Sequence, residues 1–233
     1  LKRCLSKGRL GKMIGRSLVH EIFYTPEMNA LYNEQLRHKK KGLILALEEH
    51  NWGSYIFLHE RPYRIQALVD LSLKWRSEDI VVEDTDYFEL IGDVWTDSEN
   101  IWQMEPILRI LFNPPGRDLS KRIVMTMEHD RHILQDEMSP TWVIYRGYHR
   151  PKRKLGWSWT TSPAKAMFFA KRLAPSTAIP HIAIAMCRRE DIIAFMQQRG
   201  EFEVVIDPKK VVIKQVVGID YDWSKERENG SLH

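Results

Sequence analysis

Apolar positions along the first half of this chain recur at helical spacing. Between Pro26 and His50, Met28, Leu31, Leu36, Leu43 and Leu47 fall near a 3.6-residue period, with Lys39, Lys40 and Lys41 gathered near one face. The Asn51-Trp52-Gly53-Ser54 run breaks that pattern. A second helix is predicted from Arg61-Pro62 onward: Pro62 suits a first turn, and Ile65, Leu68, Val69 and Leu73 supply the apolar side. Ile80 to Val82 reads as a short strand. Asp97-Ser98-Glu99 opens a further helix through Ile101, Met104, Ile107, Leu108 and Leu111, with Ser98 as its N-cap, and Asn113-Pro114-Pro115-Gly116 ends it. Lys121 to Met138 reads as one charged helix.

Beyond Met138-Ser139-Pro140 the period shortens and the elements become strands. Trp142 to Tyr148 is the first, and Leu155 to Thr161 the second, interrupted by Gly156. Ser162 and Pro163 then place a cap and a first-turn proline ahead of a helix over Ala164 to Arg172. His181 to Cys187 alternates as a strand, Glu190 to Met196 reads as a short helix, and Glu201 to Ile206 and Val211 to Tyr221 read as closing strands. Helices segregated from strands predict an α+β fold. The expected division is a mainly helical region, 1–137, and a strand-rich region, 138–233.

Composition narrows the function classes. The chain has 233 residues, 43% hydrophobic and 28% charged, with a formal net charge of +4. A mildly basic balance fits an acidic partner such as nucleic acid or a nucleotide. The Leu1 to Arg16 arm is basic and Gly-containing, lacks the apolar core of a secretory signal, and reads as a solvated tail. Two cysteines, Cys4 and Cys187, make no disulfide framework, so a reducing, cytoplasmic setting is expected. No apolar run is long enough to predict a membrane span.

Metal and nucleotide signatures are absent from the sequence. It has no Cys-x-x-Cys pair, no His-Glu-x-x-His, no P-loop and no Gly-x-Gly-x-x-Gly. His129 and His132, beside Glu128 and Asp130, are spaced for one helix face but read as a charged, solvated surface. No metal is expected. An ordered set remains in the second half. Tyr145-Arg146-Gly147 ends one strand, Trp159-Thr160-Thr161-Ser162 ends the next, and Glu201-Phe202-Glu203 opens a later one. Singly, these are a strand arginine, a helix cap and a polar strand edge; together their order points to a site.

That order resembles the Arg, Ser-Thr-Ser, Glu-x-Glu pattern of ADP-ribosyltransferases of the bacterial-toxin type, across roughly Thr141 to Tyr221. The resemblance implies a split antiparallel β-sheet core that binds NAD, as substrate, in its cleft. It assigns the arginine role to Arg146, the hydroxyl run to Thr160, Thr161 and Ser162, and the glutamates to Glu201 and Glu203. Thr160 departs from the family's first Ser but keeps a hydroxyl. Under this resemblance Arg146 holds the NAD diphosphate as a planar fork, and Gly147 lets backbone approach the ligand. Thr160 steadies the catalytic glutamate, and Trp157, Trp159 or Phe169 walls the nicotinamide. Glu203 stabilises positive charge developing on the ribose. Glu201, projecting to the same strand face, meets the acceptor.

Two features pull the acceptor in different directions. Glu at position 201 is associated in the family with arginine acceptors. Lys152, Arg153 and Lys154, just after the Arg146 strand, suit a phosphate backbone. The expected activity is therefore mono-ADP-ribosyl transfer to a macromolecular acceptor, either protein arginine or a nucleic-acid base, in a bacterial toxin or anti-phage effector. An antitoxin or inhibitor protein belongs among the partners this allows. The alternatives are an NAD glycohydrolase using the same residues and a non-enzymatic nucleic-acid-binding protein.

Overall fold

The structure is a computed structural model, and it describes Leu18 and residues 26–78, 80–98, 105–136, 139–150, 155–172, 174–197 and 200–223. The basic arm at 1–16, the Lys152-Arg153-Lys154 cluster and the tail from Lys225 lie outside the described residues. The chain folds as α+β and divides into two compact units, Leu1–Leu111 and Phe112–His233.

The first unit is helical. Helix α1 spans Asn29–Glu48, α2 Trp52–Phe57, α3 Arg64–Ser77, α4 Asp84–Asp97 and α5, in its described part, Glu105–Phe112. Asn51, expected only to break a helix, caps the next one, its Oδ1 accepting from Ser54 N at 2.9 Å. Ile80 to Val82 forms no strand. It is the extended approach to α4, a helix the sequence pattern did not reveal. Tyr87, Phe88, Ile91, Val94 and Trp95 of α4 are buried at i, i+1, i+4, i+7 and i+8, with Leu68, Leu71 and Trp75 of α3 also in the core. The Trp75 and Tyr87 rings meet edge to face at 6.1 Å, and Tyr87 donates to Leu111 O at 3.1 Å. The expected helix start after Ser98, with Ile101 and Met104, lies outside the described residues. The Ser98 hydroxyl donates back to Val94 O and closes α4.

The second unit is built on one six-stranded sheet. Its strands are β1 Thr141–Tyr148, β2 Ser158–Thr160, β3 His181–Arg188, β4 Ile192–Met196, β5 Glu203–Ile206 and β6 Val212–Gly218. They lie in the order β4-β5-β2-β1-β3-β6, and every described pairing is antiparallel. The expected split survives as a narrow seam. β1 and β3 are in register from Thr141↔Arg188 to Tyr148↔His181, whereas β1 and β2 register at a single pair, Tyr145↔Thr160. The halves β4-β5-β2 and β1-β3-β6 thus join at almost one point.

Four expectations about local structure change here. Lys121 to Met138 is not one helix: 3₁₀ turns over Leu119–Met125 and Glu128–Asp130 precede a short helix α6, Arg131–Gln135. The region 190–196 holds a 3₁₀ turn and strand β4, not a helix; all of Ile192 to Met196 is buried. A short, fully buried apolar run carries no period to separate helix from strand. Strand β2 is only Ser158–Thr160. Strand β5 begins at Glu203, because Phe202 takes a left-handed φ of 50° that ends extended geometry there.

The unit boundary also differs from 137/138. The segment after Leu111 belongs with the sheet: Thr126 Oγ1 accepts from Phe195 N at 3.0 Å, Arg189 donates to Leu134 O at 2.7 Å, and Asp130 accepts from Gln197 at 2.9 Å. Helix α7, Pro163–Arg172, starts where expected, with Ser162 Oγ accepting from Lys165 N at 3.3 Å. It packs on β1 at Gly147, where an added Cβ would lie 1.9 Å from Ala166 O. Ala166 joins Tyr145, Ile182, Ile184 and Val217 in the core on that face; Ile144, Trp159, Phe195, Val204 and Ile206 form the core on the other.

Candidate active site

The seam between the half-sheets concentrates the polar residues singled out from the sequence. Pairing of Tyr145 with Thr160, and of Thr160 with Glu203, sets one cross-strand row from β1 through β2 to β5. Directly paired residues share a sheet face. A cavity of about 220 Å³ opens here, lined by Arg146, Gly147, Thr160, Phe169, Glu201 and Glu203 among others. Arginine, hydroxyl and both glutamates, separated along the chain, are therefore neighbours in space.

The two glutamates reach the cavity by a different route from the one the sequence suggests. They are not alternate residues of one strand. Glu201 lies before β5, and the positive φ of Phe202 turns the chain between them. That turn is sewn to the end of β2. Thr160 Oγ1 donates to Glu201 O at 2.6 Å and accepts from Ser162 N at 3.1 Å, and Thr161 N donates to Phe202 O at 3.1 Å. Thr160, 4% exposed, thus holds the backbone of Glu201, where the family resemblance had it steadying a glutamate carboxylate.

Arg146 also has a local structural task. Its Nη1 donates to Ser158 O, tying β1 to β2 where backbone pairing is almost absent. The guanidinium lies over Gly156, where a Cβ would come within 2.5 Å of it. Along β1, alternation sets Arg146 with Ile144 and Tyr148, opposite the Tyr145–Thr160–Glu203 row. Gly147 lines the cavity, yet its missing side chain is required by α7 rather than by a ligand.

The remaining predicted residues separate by role. Phe169, half-buried on α7, forms an aromatic wall of the cavity. Trp159 adjoins the cavity, but its ring belongs to the core, 2% exposed, with Nε1 donating to Gly156 O at 2.8 Å. Trp157 is likewise buried, its ring 5.2 Å from that of Phe112. Ser162 caps α7, and Thr161 lines a second cavity. Tyr145, which the sequence did not single out, borders both cavities while 1% exposed. Its only sequence signal is its place beside Arg146.

The second cavity, about 600 Å³, takes its walls from α6, the first half of β1, Thr161 and Phe195. Among the described residues no group of three or more His, Cys, Asp or Glu is placed to hold a metal ion, and no helix is long and apolar enough to cross a membrane. His129 Nε2 sits 3.5 Å from Asp130 Oδ1, an oxygen that also accepts from Gln197. No family model, curated protein or solved structure matches this chain.

Proposed function

We propose that the second unit transfers ADP-ribose from NAD to a macromolecular acceptor. The observation that carries this reading is the convergence of Glu201 and Glu203 with Thr160, Phe169 and Arg146 around one cavity at a sheet seam. Cleavage of the nicotinamide–ribose bond builds positive charge on the ribose, and a carboxylate fixed beside it stabilises that charge. Glu203, on the strand, takes this role. Glu201, on the turn, takes the proton of the incoming nucleophile. Phe169 offers a face to the nicotinamide ring, and Arg146, lining the cavity from the other face of the sheet, supplies positive charge for the diphosphate. A 220 Å³ cavity is below the usual size of ligand sites, about 300 Å³ and up, and suits only one end of the dinucleotide, with the remainder running along the seam.

The test is labelled NAD incubated with the protein and a cell lysate, then divided between protease and nuclease. Label lost to one treatment names the acceptor class. Label on neither macromolecule, with rapid nicotinamide release from NAD alone, supports the glycohydrolase reading, which uses the same residues. Nucleic-acid binding without NAD turnover and unchanged by Glu203→Gln supports a binding module. A role as a bacterial toxin or anti-phage effector rests on the family resemblance. Its check is growth arrest on expression, relieved by Glu203→Gln.

A further inference from the structure

Past the Tyr145–Thr160 pair, β1 and β2 no longer register, and the larger cavity opens beside this gap. Trp142, half-buried, gives it an aromatic wall and stands edge to face at 5.4 Å and 87° on the buried ring of Phe195, and Tyr145, also buried, borders it. His132 and Asp136 from the α6 side, with Ser139, Thr141 and Thr161, add hydrogen-bonding groups. Among the described residues, none that lines it is Lys or Arg.

We infer that this cavity binds a nucleobase, and, resting on the transferase reading, that the base is the acceptor. Two features choose a base over an arginine side chain. A volume of about 600 Å³ lies in the range of small-molecule sites and far exceeds a guanidinium. The Trp142 face with a mixed donor and acceptor rim suits a flat heterocycle with a polar edge.

The two cavities share one lining residue. Tyr145 borders both, and Thr161, on the wall of the larger one, bonds through its backbone to Phe202, between the two glutamates. In the transfer, the bond from ribose C1′ to the nicotinamide nitrogen breaks, and nicotinamide leaves neutral with the electron pair. A ring or exocyclic nitrogen of the base forms the new bond to C1′, and its proton passes to Glu201.

The experiment is equilibrium binding of adenosine, guanosine, cytidine, uridine and agmatine to the full chain, followed by tryptophan fluorescence and calorimetry. At least one nucleoside is expected to bind more tightly than agmatine. Trp142→Ala should weaken it about tenfold or more, and Trp142→Phe should restore most of the affinity. Ser139→Trp, an exposed position that keeps the core intact, should block the cavity and abolish binding even if Trp142→Ala fails to fold. Preference for agmatine, or nucleoside binding that survives Ser139→Trp, overturns the proposal. Competition between the bound nucleoside and NAD also overturns the acceptor role, because the cavity then holds the adenosine end of the dinucleotide. NAD cleavage that depends on Glu203 is measured separately, so loss of the transferase reading is distinguishable from loss of the nucleobase site.

Discussion

The Thr160 hydroxyl donates a 2.6 Å hydrogen bond to the Glu201 carbonyl, 41 positions further along the chain. Together with the bond from Thr161 N to Phe202 O, it fastens the turn bearing one glutamate to the end of a central strand. The second glutamate, Glu203, pairs directly with Thr160 across β2 and β5. One buried threonine therefore sets the relative position of both carboxylates, and does so through backbone atoms.

Thr160→Val removes this bond while keeping the side chain's shape. It should cost about 1–2 kcal/mol of stability by leaving the Glu201 carbonyl without that donor. It should also lower NAD turnover by loosening the turn, and Thr160→Ser should restore both. Denaturant unfolding beside a nicotinamide-release assay checks this; a Val variant with unchanged turnover removes Thr160 as a positioning residue.

Glu203→Gln should abolish transfer, by about 100-fold or more, with folding and NAD affinity retained. Glu201→Gln should reduce transfer to the acceptor more than it reduces NAD hydrolysis, since its carboxylate acts on the nucleophile. Parallel transfer and hydrolysis rates for both variants separate these roles. Equal loss of the two activities in Glu201→Gln would contradict an acceptor-side function.

Arg146→Ala should act twice. Losing the guanidinium bond to Ser158 O frees the narrow β1–β2 junction and should lower stability by about 1.5–3 kcal/mol. NAD affinity should fall as well. Gly156→Ala forces the same guanidinium aside and should weaken NAD binding with no charge removed. Melting temperature and NAD affinity measured on both variants test this; full NAD affinity in the folded Arg146→Ala protein would move the diphosphate site elsewhere.

Cys187 provides a pH prediction. Burial, reinforced by the negative charge of Asp191, pushes its thiol up to about 12 from an ordinary 9.0. The folded state favours the neutral thiol, so this contribution is complete below pH 9 and is lost as pH rises toward about 12. Stability of the wild type should fall across that interval more steeply than that of Cys187→Ala. At pH 8 the native thiol should react with a thiol reagent only after unfolding, which a timed labelling experiment with and without denaturant reads directly.

How much of this was legible along the chain depends on the length and period of each segment. The long amphipathic run of α1, the Ser162-Pro163 start of α7 and the alternation in β1 and β3 are local signals, and each appears where the pattern places it. Helix α4 was missed although its apolar residues have helical spacing, because an extended Ile80-Val81-Val82 segment stands before it. β4 was read as a helix because five consecutive buried residues have no period. The joining of 112–136 to the sheet depends on bonds such as Thr126 to Phe195, which have no local trace.

The sequence by itself determined the α+β class and the order in which an arginine, a hydroxyl run and two glutamates occur. Those properties follow from side-chain chemistry and short-range spacing. Tertiary structure alone decided that the glutamates are set by a left-handed turn rather than by strand alternation, that Gly147 serves helix packing, and that Tyr145 stands between two cavities. The physical reason is the seam. Strands β1 and β2 touch at one registered pair, and which residues face the resulting gap depends on long-range register that no local pattern encodes.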